Sequence, residues 1–319
     1  MELRQLQYVL KVAEERSFSR AAEKLHIAQP SLSQQILKLE QQLGVKLFDR
    51  TSTPLDLTFA GERFVATAGR ILDLTDQLRR EMEDVANLKK GRLVIGSLPI
   101  TGAHVLPLVL PVFQKKFPGI EAVLVEDTTE ELETLTVKGK TDITLLTLPL
   151  GEPSLVYEPI LKEEILLAVP PGHPLAKKTA RKSGMKGKPV RVNLASLRRE
   201  PFILLKQGQG FRQIVLDLCR EAGFEPQIAF ESSNIETVQS LVAAGMGITL
   251  VPEMVARSGW TSIRPIYMQL AEPVPTRTLV VAYREGRYLS KAALSFVEML
   301  KEIMVTKKER HGSGDDRNG

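Results

Sequence analysis

The chain has 319 residues, a single cysteine, a quarter of its side chains charged and a formal net charge of +5. Such a length supports roughly two or three domains with cores of their own, and the modest positive balance suits nucleic acid without requiring it. No apolar run reaches the ~20 residues of a membrane span, no charged-then-apolar leader pattern opens the chain, and one thiol excludes an intramolecular disulfide. The expectation is a cytoplasmic protein.

The first elements are helical. Leu3, Leu6, Leu10 and Ala13 form one apolar stripe, and Phe18, Ala21, Ala22 and Leu25 form a second on a shorter helix. After the link His26–Gln29, Pro30 suits the first turn of a longer helix whose apolar face is Leu32, Ile36, Leu39 and Leu43. Short helix, turn, longer helix is the helix-turn-helix arrangement, whose second helix lies in the DNA major groove. Its start presents Gln29, Pro30, Ser31, Ser33, Gln34 and Gln35. Gln pairs bidentately with adenine and Ser donates or accepts at several base edges. The bland alternative is a solvated polar face on a helical hairpin. Val45–Arg50, a turn at Pro54 and Leu55–Thr58 then read as a two-stranded wing that places Arg50, Thr51 and Ser52 against phosphate, with Asp56 as an acid in the same wing. Residues 1–59 carry eight basic and seven acidic side chains, a net of +1, so binding rests on where the bases sit and on doubling the contacts in a dimer.

The run LRQLQYVLKVAEERSFSRAAEKLHIAQPSLSQQILKLEQQLGVKLFDR, followed by LTFAGE, closely resembles the LysR-type transcriptional regulator family. The segments GRLVIG, VLPLVLPVFQKKFPGI, GHPLA and LVAAGMGITLVPEM extend the resemblance over nearly all of residues 1–305. It implies a winged helix-turn-helix, a long dimerisation helix and a two-lobed α/β effector domain like a periplasmic binding protein. It implies double-stranded promoter or operator DNA, a second copy of the chain as dimer or tetramer, RNA polymerase and a small-molecule effector as partners, with no cofactor and no membrane. Family effectors are often organic acids or amino acids.

Further along, Phe64, Ala68, Ile71, Thr75, Leu78, Met82 and Val85 recur at steps of four and three, a seam for helix-on-helix pairing, with Thr58 as the N-cap. Strand and helix then alternate: strand 92–96, helix 104–117, strand 120–126, helix 129–138 and strand 141–146, which predicts a parallel sheet covered on both faces. A second set follows over 201–252, joined to the first near Pro159–Leu161 and Arg264–Ile266. The domain expectation is therefore 1–59 for DNA binding and 60–90 for the linker helix. Lobe I takes 91–161 and 267–305, lobe II takes 162–266, and 306–319 is a disordered tail. The basic stretch 177–191 reads as a surface loop.

In sheets of this type ligands bind beyond the carboxyl ends of strands, where helix N-termini meet. That singles out Ile100 and Thr101 after the first strand, Thr128 and Thr147 after the next two, and Gln207 and Phe211 in the other lobe, with Lys206 or Arg212 available for charge. The alternative is that Thr128 and its like only cap their own helices. No catalytic or metal site is expected: the four histidines lie in unrelated segments, and neither a P-loop nor a G-x-S-x-G elbow occurs. The runner-up class is a solute-binding protein or lobe-derived enzyme, against which residues 1–89 argue.

Overall fold

The computed structural model describes residues 1–52, 54–85, 91–177, 191–256 and 264–312, and the chain divides into two compact units, Met1–Leu88 and Lys89–Gly319. The basic stretch 177–191 falls almost wholly outside the described residues.

The first unit is built from α1 (Leu3–Glu15), α2 (Phe18–Lys24), α3 (Gln29–Leu43), a wing of β1 (Phe48–Asp49) and β2 (Asp56–Leu57), and α4 (Phe59–Val85). Ser17 caps α2 by accepting the Arg20 N–H, and the α2–α3 turn is made possible by His26 in the left-handed region at φ 54°. Val9, Val12, Ala21, Ala22, Leu32, Ile36 and Leu39 close a small core, to which the wing adds Leu47 and Phe48. Leu3 and Leu43, at the ends of the predicted stripes, stay exposed.

A buried carboxylate ties α3 to the wing. Glu40 accepts the N–H groups of Leu47 at 2.7 Å and Phe48 at 3.3 Å, and its other oxygen lies 3.1 Å from the Arg50 guanidinium. Thr58 caps α4 as predicted: its hydroxyl donates to the Lys46 carbonyl at 2.6 Å and accepts the Gly61 N–H at 3.0 Å. Gly61 is required there, because a Cβ would stand 2.0 Å from the Leu47 carbonyl oxygen.

The predicted seam on α4 divides in two. Phe64 packs on the unit's own core, Ala68 is buried and Ile71 half-buried, whereas Thr75, Leu78 and Met82 are exposed, the last two at 58% and 52%; Leu74, beside the seam, is exposed at 61%. Within the chain itself, then, the start of the seam is used for packing and the later part is left open. The Val85 side chain lies outside the described ones.

In the second unit, β3 (Gly91–Ser97), α5 (Pro99–Lys116), β4 (Ile120–Glu126), α6 (Thr129–Val137) and β5 (Ile143–Thr147) form lobe I. β3 runs parallel to β4 and to β5. The fifteen-residue β6 (Leu155–Val169) then crosses into lobe II. Lobe II holds β7 (Pro201–Leu205), α7 (Gly210–Glu221), β8 (Gln227–Ser232), α8 (Ile235–Ala243), β9 (Thr249–Pro252), the short α9 (Glu253–Ala256) and β10 (Ile266–Gln269). The chain returns through β11 (Thr276–Arg284) and ends in α10 (Lys291–Gly312). β11 lies antiparallel to β5 and to the first part of β6, and β9 and β10 flank the second part, giving a seven-stranded sheet of order β10-β6-β11-β5-β3-β4 with β9 beside β6. The sheet is thus mixed, where strand–helix alternation alone predicts a parallel one. The two crossing segments supply the antiparallel strands.

Three further expectations shift. α5 begins at Pro99, so Ile100 and Thr101 stand in its first turn instead of a loop; proline at the first helical position marks the start of this helix. Met268 and Leu270 belong to the lobe II core, so the return crossing falls after β10 and not at residue 267. α10 runs on to Gly312 through what composition reads as a tail, since Lys307, Lys308, Glu309 and Arg310 all favour helix; residues 313–319 lie outside the described residues.

The Glu40 network gives a stability test. Glu40→Ala leaves two buried N–H groups without an acceptor, and on the order of 3 kcal/mol should be lost from the DNA-binding unit in urea titration. Glu40→Gln keeps one acceptor oxygen and should lose less. A loss within error of zero for the alanine variant would show that the wing is held by other means.

Candidate nucleic-acid interface and effector cleft

On the first unit, the start of α3 carries the predicted readers. Gln29, Pro30, Ser31, Gln34 and Gln35 are exposed and Ser33 is half-buried, and no side chain among them makes a hydrogen bond within the protein. They share a turn with buried Leu32 and Ile36, which fix the helix's rotation about its axis. The wing residues are more committed. Arg50 pairs with Glu40 and stacks over the Phe18 ring at 5.3 Å, leaving 41% of its side chain exposed. Thr51 gives both its N–H and its hydroxyl to Asp49, at 2.9 and 2.6 Å, and Ser52 joins the same carboxylate. These bonds hold the Asp49 carboxyl below its ordinary range, the Thr51 hydroxyl contributing most. The wing's other acid, Asp56, is ion-paired with Arg16, so its charge is offset within the unit.

In the second unit the named ligand positions gather where α5, α6 and α7 begin. Thr101 is fully buried and Thr147 nearly so, and both hydroxyls lack a hydrogen-bond partner; so does that of Thr129. Thr128 differs, since its hydroxyl accepts the Glu131 N–H and caps α6. The unpartnered hydroxyl thus sits one residue on, at Thr129, a position that capping preference in the sequence directs attention away from. Ile100 packs into the lobe II core from across the cleft. Opposite, α5 and α7 both begin without a capping side chain, so first-turn amides are available at each. The start of α7 lies close to that of α5: a Cβ on Gly210 would lie 4.0 Å from Leu98 Cδ1, at the residue that precedes α5.

Two arginines near the cleft are already engaged, whereas one lysine is open to solvent. Arg212 pairs with Glu231 and donates to the Leu205 carbonyl, and Lys206 and Gln207 are exposed on the loop. Arg277 is buried where β6 and β11 pass between the lobes. Its guanidinium meets Glu163 at 2.7 Å and stacks over the Phe211 ring at 5.4 Å, while the second Glu163 oxygen accepts the Met254 N–H at 2.7 Å. Burial pulls the Arg277 pKa down, and Glu163 opposes that. Glu126 lies at the rim, its Oε1 3.0 Å from where a Cβ on Gly102 would stand. Cys219 is a fully buried core residue on α7 whose thiol is pushed up to about 12, chiefly by burial. Among the described residues no group of His, Cys, Asp and Glu is arranged to hold a metal ion, and no helix is long and apolar enough to cross a membrane.

Comparison with known proteins gives the family. Residues 3–62 match the model of the bacterial regulatory helix-turn-helix protein, lysR family, and residues 86–304 match that of the LysR substrate binding domain. The chain is 41% identical over 311 residues to the uncharacterized HTH-type transcriptional regulator YcgK of Bacillus subtilis, covering 95% of each. It is 32% identical over 311 residues to the hydrogen peroxide-inducible genes activator of Escherichia coli O6:H1, covering 98% of this chain and 97% of that one. Full-length CbnR complexed with its target DNA superposes with a TM-score of 0.62 at 27% identity, over 95% of this chain and 100% of that one. With an exposed recognition helix in one unit and a two-lobed α/β domain in the other, the chain belongs to the LysR family of DNA-binding transcriptional regulators.

Proposed function

We propose that this regulator reads operator DNA with the start of α3 and answers to a small carboxylate-bearing effector held between lobes I and II. The observation that carries the effector reading is the set of three buried threonine hydroxyls, Thr101, Thr129 and Thr147, without partners beside two uncapped helix starts. A buried hydroxyl left unpaired costs free energy, so a ligand oxygen that reaches it is favoured. Helix N-termini favour negative charge, and with Arg212 and Arg277 already paired they and the exposed Lys206 are what attracts an anion to the cleft. Glu126 at the rim favours an effector that carries an ammonium or hydroxyl beside its carboxylate, an amino or hydroxy acid. Closure of the lobes around it changes the arrangement of the oligomer and hence the spacing of the DNA-reading heads. The exposed Leu74, Leu78 and Met82 of α4 are the surface on which a second copy pairs, and RNA polymerase is the further partner.

A thiol-based peroxide response is not favoured for this chain. The thiolate is the reactive form, and the only thiol, Cys219, is buried with its pKa raised.

Three measurements test the reading. Gln34→Ala should lose about 1–3 kcal/mol of specific operator affinity, the worth of one bidentate base contact, with an unchanged melting temperature. Full-strength operator binding would exclude α3 as the reader. Leu78→Lys puts a charge into the pairing face and should yield monomers in sedimentation velocity; an unchanged oligomer would place the interface elsewhere.

The third separates sensing from capping. Thr101→Val removes an unpaired buried hydroxyl at constant volume, so thermal stability should hold or rise. In a thermal-shift panel of amino and hydroxy acids, the ligand that stabilises the parent should fail to stabilise this variant. Thr128→Val should instead lose about 1 kcal/mol of stability as a cap. If Thr101→Val responds to the ligand as the parent does, the site is not at the start of α5.

A further inference from the structure

Within the second unit, backbone of one lobe lies against side chains of the other where β7 leads into α7. The segment between β7 and α7 lies on the first turn of α6: a Cβ on Gly208 would come within 3.0 Å of Thr128 Cγ2, and a Cβ on Gly210 within 2.4 Å of Thr129 Oγ1. Gly208 has φ +88°, a conformation that side chains rarely adopt, so its glycine has a local cause as well. Gly210 has no such cause. It is the first residue of α7, where almost any residue is accepted, and what excludes a side chain there is the threonine of the other lobe. The contact is specific to one atom. The other near neighbours of a Gly210 Cβ, Thr129 Cβ at 3.7 Å and Leu98 Cδ1 at 4.0 Å, stand at ordinary packing distance. Thr129 Oγ1 is buried without a hydrogen bond and abuts glycine backbone.

We propose that Gly210 is a positioning residue that sets how far the lobes close, with Thr129 Oγ1 as the surface against which it stops. The proposal rests on the two-lobed effector reading above. A methyl group at 210 has to move away from Thr129 Oγ1 by roughly 1 Å to reach normal contact, which separates the starts of α6 and α7 and holds the cleft ajar. A competing path is rotation of the Thr129 side chain, and β-branched residues in helices have few rotamers to choose from.

A mutant cycle on the full-length protein decides between these paths. Hydrogen–deuterium exchange is followed in Gly210→Ala, in Thr129→Ala and in the double variant, over fragments that cover residues 128–137 and 208–221. Gly210→Ala should exchange about tenfold faster in the first turns of α6 and α7, with β7 and α8 unchanged, as expected for a local opening. Thr129→Ala alone removes the stopping oxygen, so the lobes can only approach more closely and exchange in these turns should be no faster than in the parent. The double variant should return to near-parental exchange, because the clashing oxygen is gone and the remaining neighbours tolerate a methyl. Parental exchange in Gly210→Ala, acceleration spread over the whole domain, or a double variant as fast as the single one would each overturn the proposal. Operator footprints of the same proteins speak to the other reading. An opened cleft with an unaltered footprint leaves the stop in place and overturns lobe closure as the regulatory signal.

Discussion

The second unit depends on one buried ion pair at the point where its two lobes are joined. Glu163 on β6 and Arg277 on β11 face each other across the antiparallel ladder, both almost completely buried. Two charges removed from water are tolerable only together and only if their remaining atoms are satisfied. Here Glu163 also receives the Met254 N–H, and Arg277 lies over Phe211. The pair therefore touches a crossing strand on each side, the short α9 and the first turn of α7. Removing either partner would leave the other charge buried and unpaired where the crossing strands meet α9 and α7.

The DNA-binding unit solves a related problem with a single carboxylate. A three-helix core of so few residues has little to spare for holding a wing. Glu40, projecting from the recognition helix, joins the helix to the wing through two backbone N–H groups and Arg50. One side chain thus joins the helix with the exposed polar start to the wing. The polar residues at its start are left without internal partners, as a surface must be if it is to exchange water for base edges. Arg16 beside Asp56 offsets the charge of the wing's exposed acid.

Much of this was legible in the residues because the two periods of regular structure are strong signals. The stripes of α1 to α3, the strand Ile120–Glu126 and the Thr58 cap all follow from spacing and capping chemistry. What escaped are features decided by partners distant in sequence. The start of α5 was obscured by Pro99 and Gly102, which read as loop yet occupy a first turn. That Thr129, and not only its neighbour, faces the cleft depends on where lobe II lies. The role of Gly210 is invisible without the atom it meets. The end of α10 escaped for the opposite reason: polar composition argues for disorder, but the same residues are good helix formers when a buried helix precedes them.

The position of Cys219 has a practical consequence. Its sulfur lies deep in the lobe II core with its pKa raised by burial, so the folded protein presents no competing thiol to maleimides or iodoacetamides. A cysteine introduced on the open surface is then the sole attachment point for a dye or spin label, with the native background left in place. Two such cysteines, one on each lobe, allow the distance across the cleft to be read directly in a chain that is otherwise unaltered.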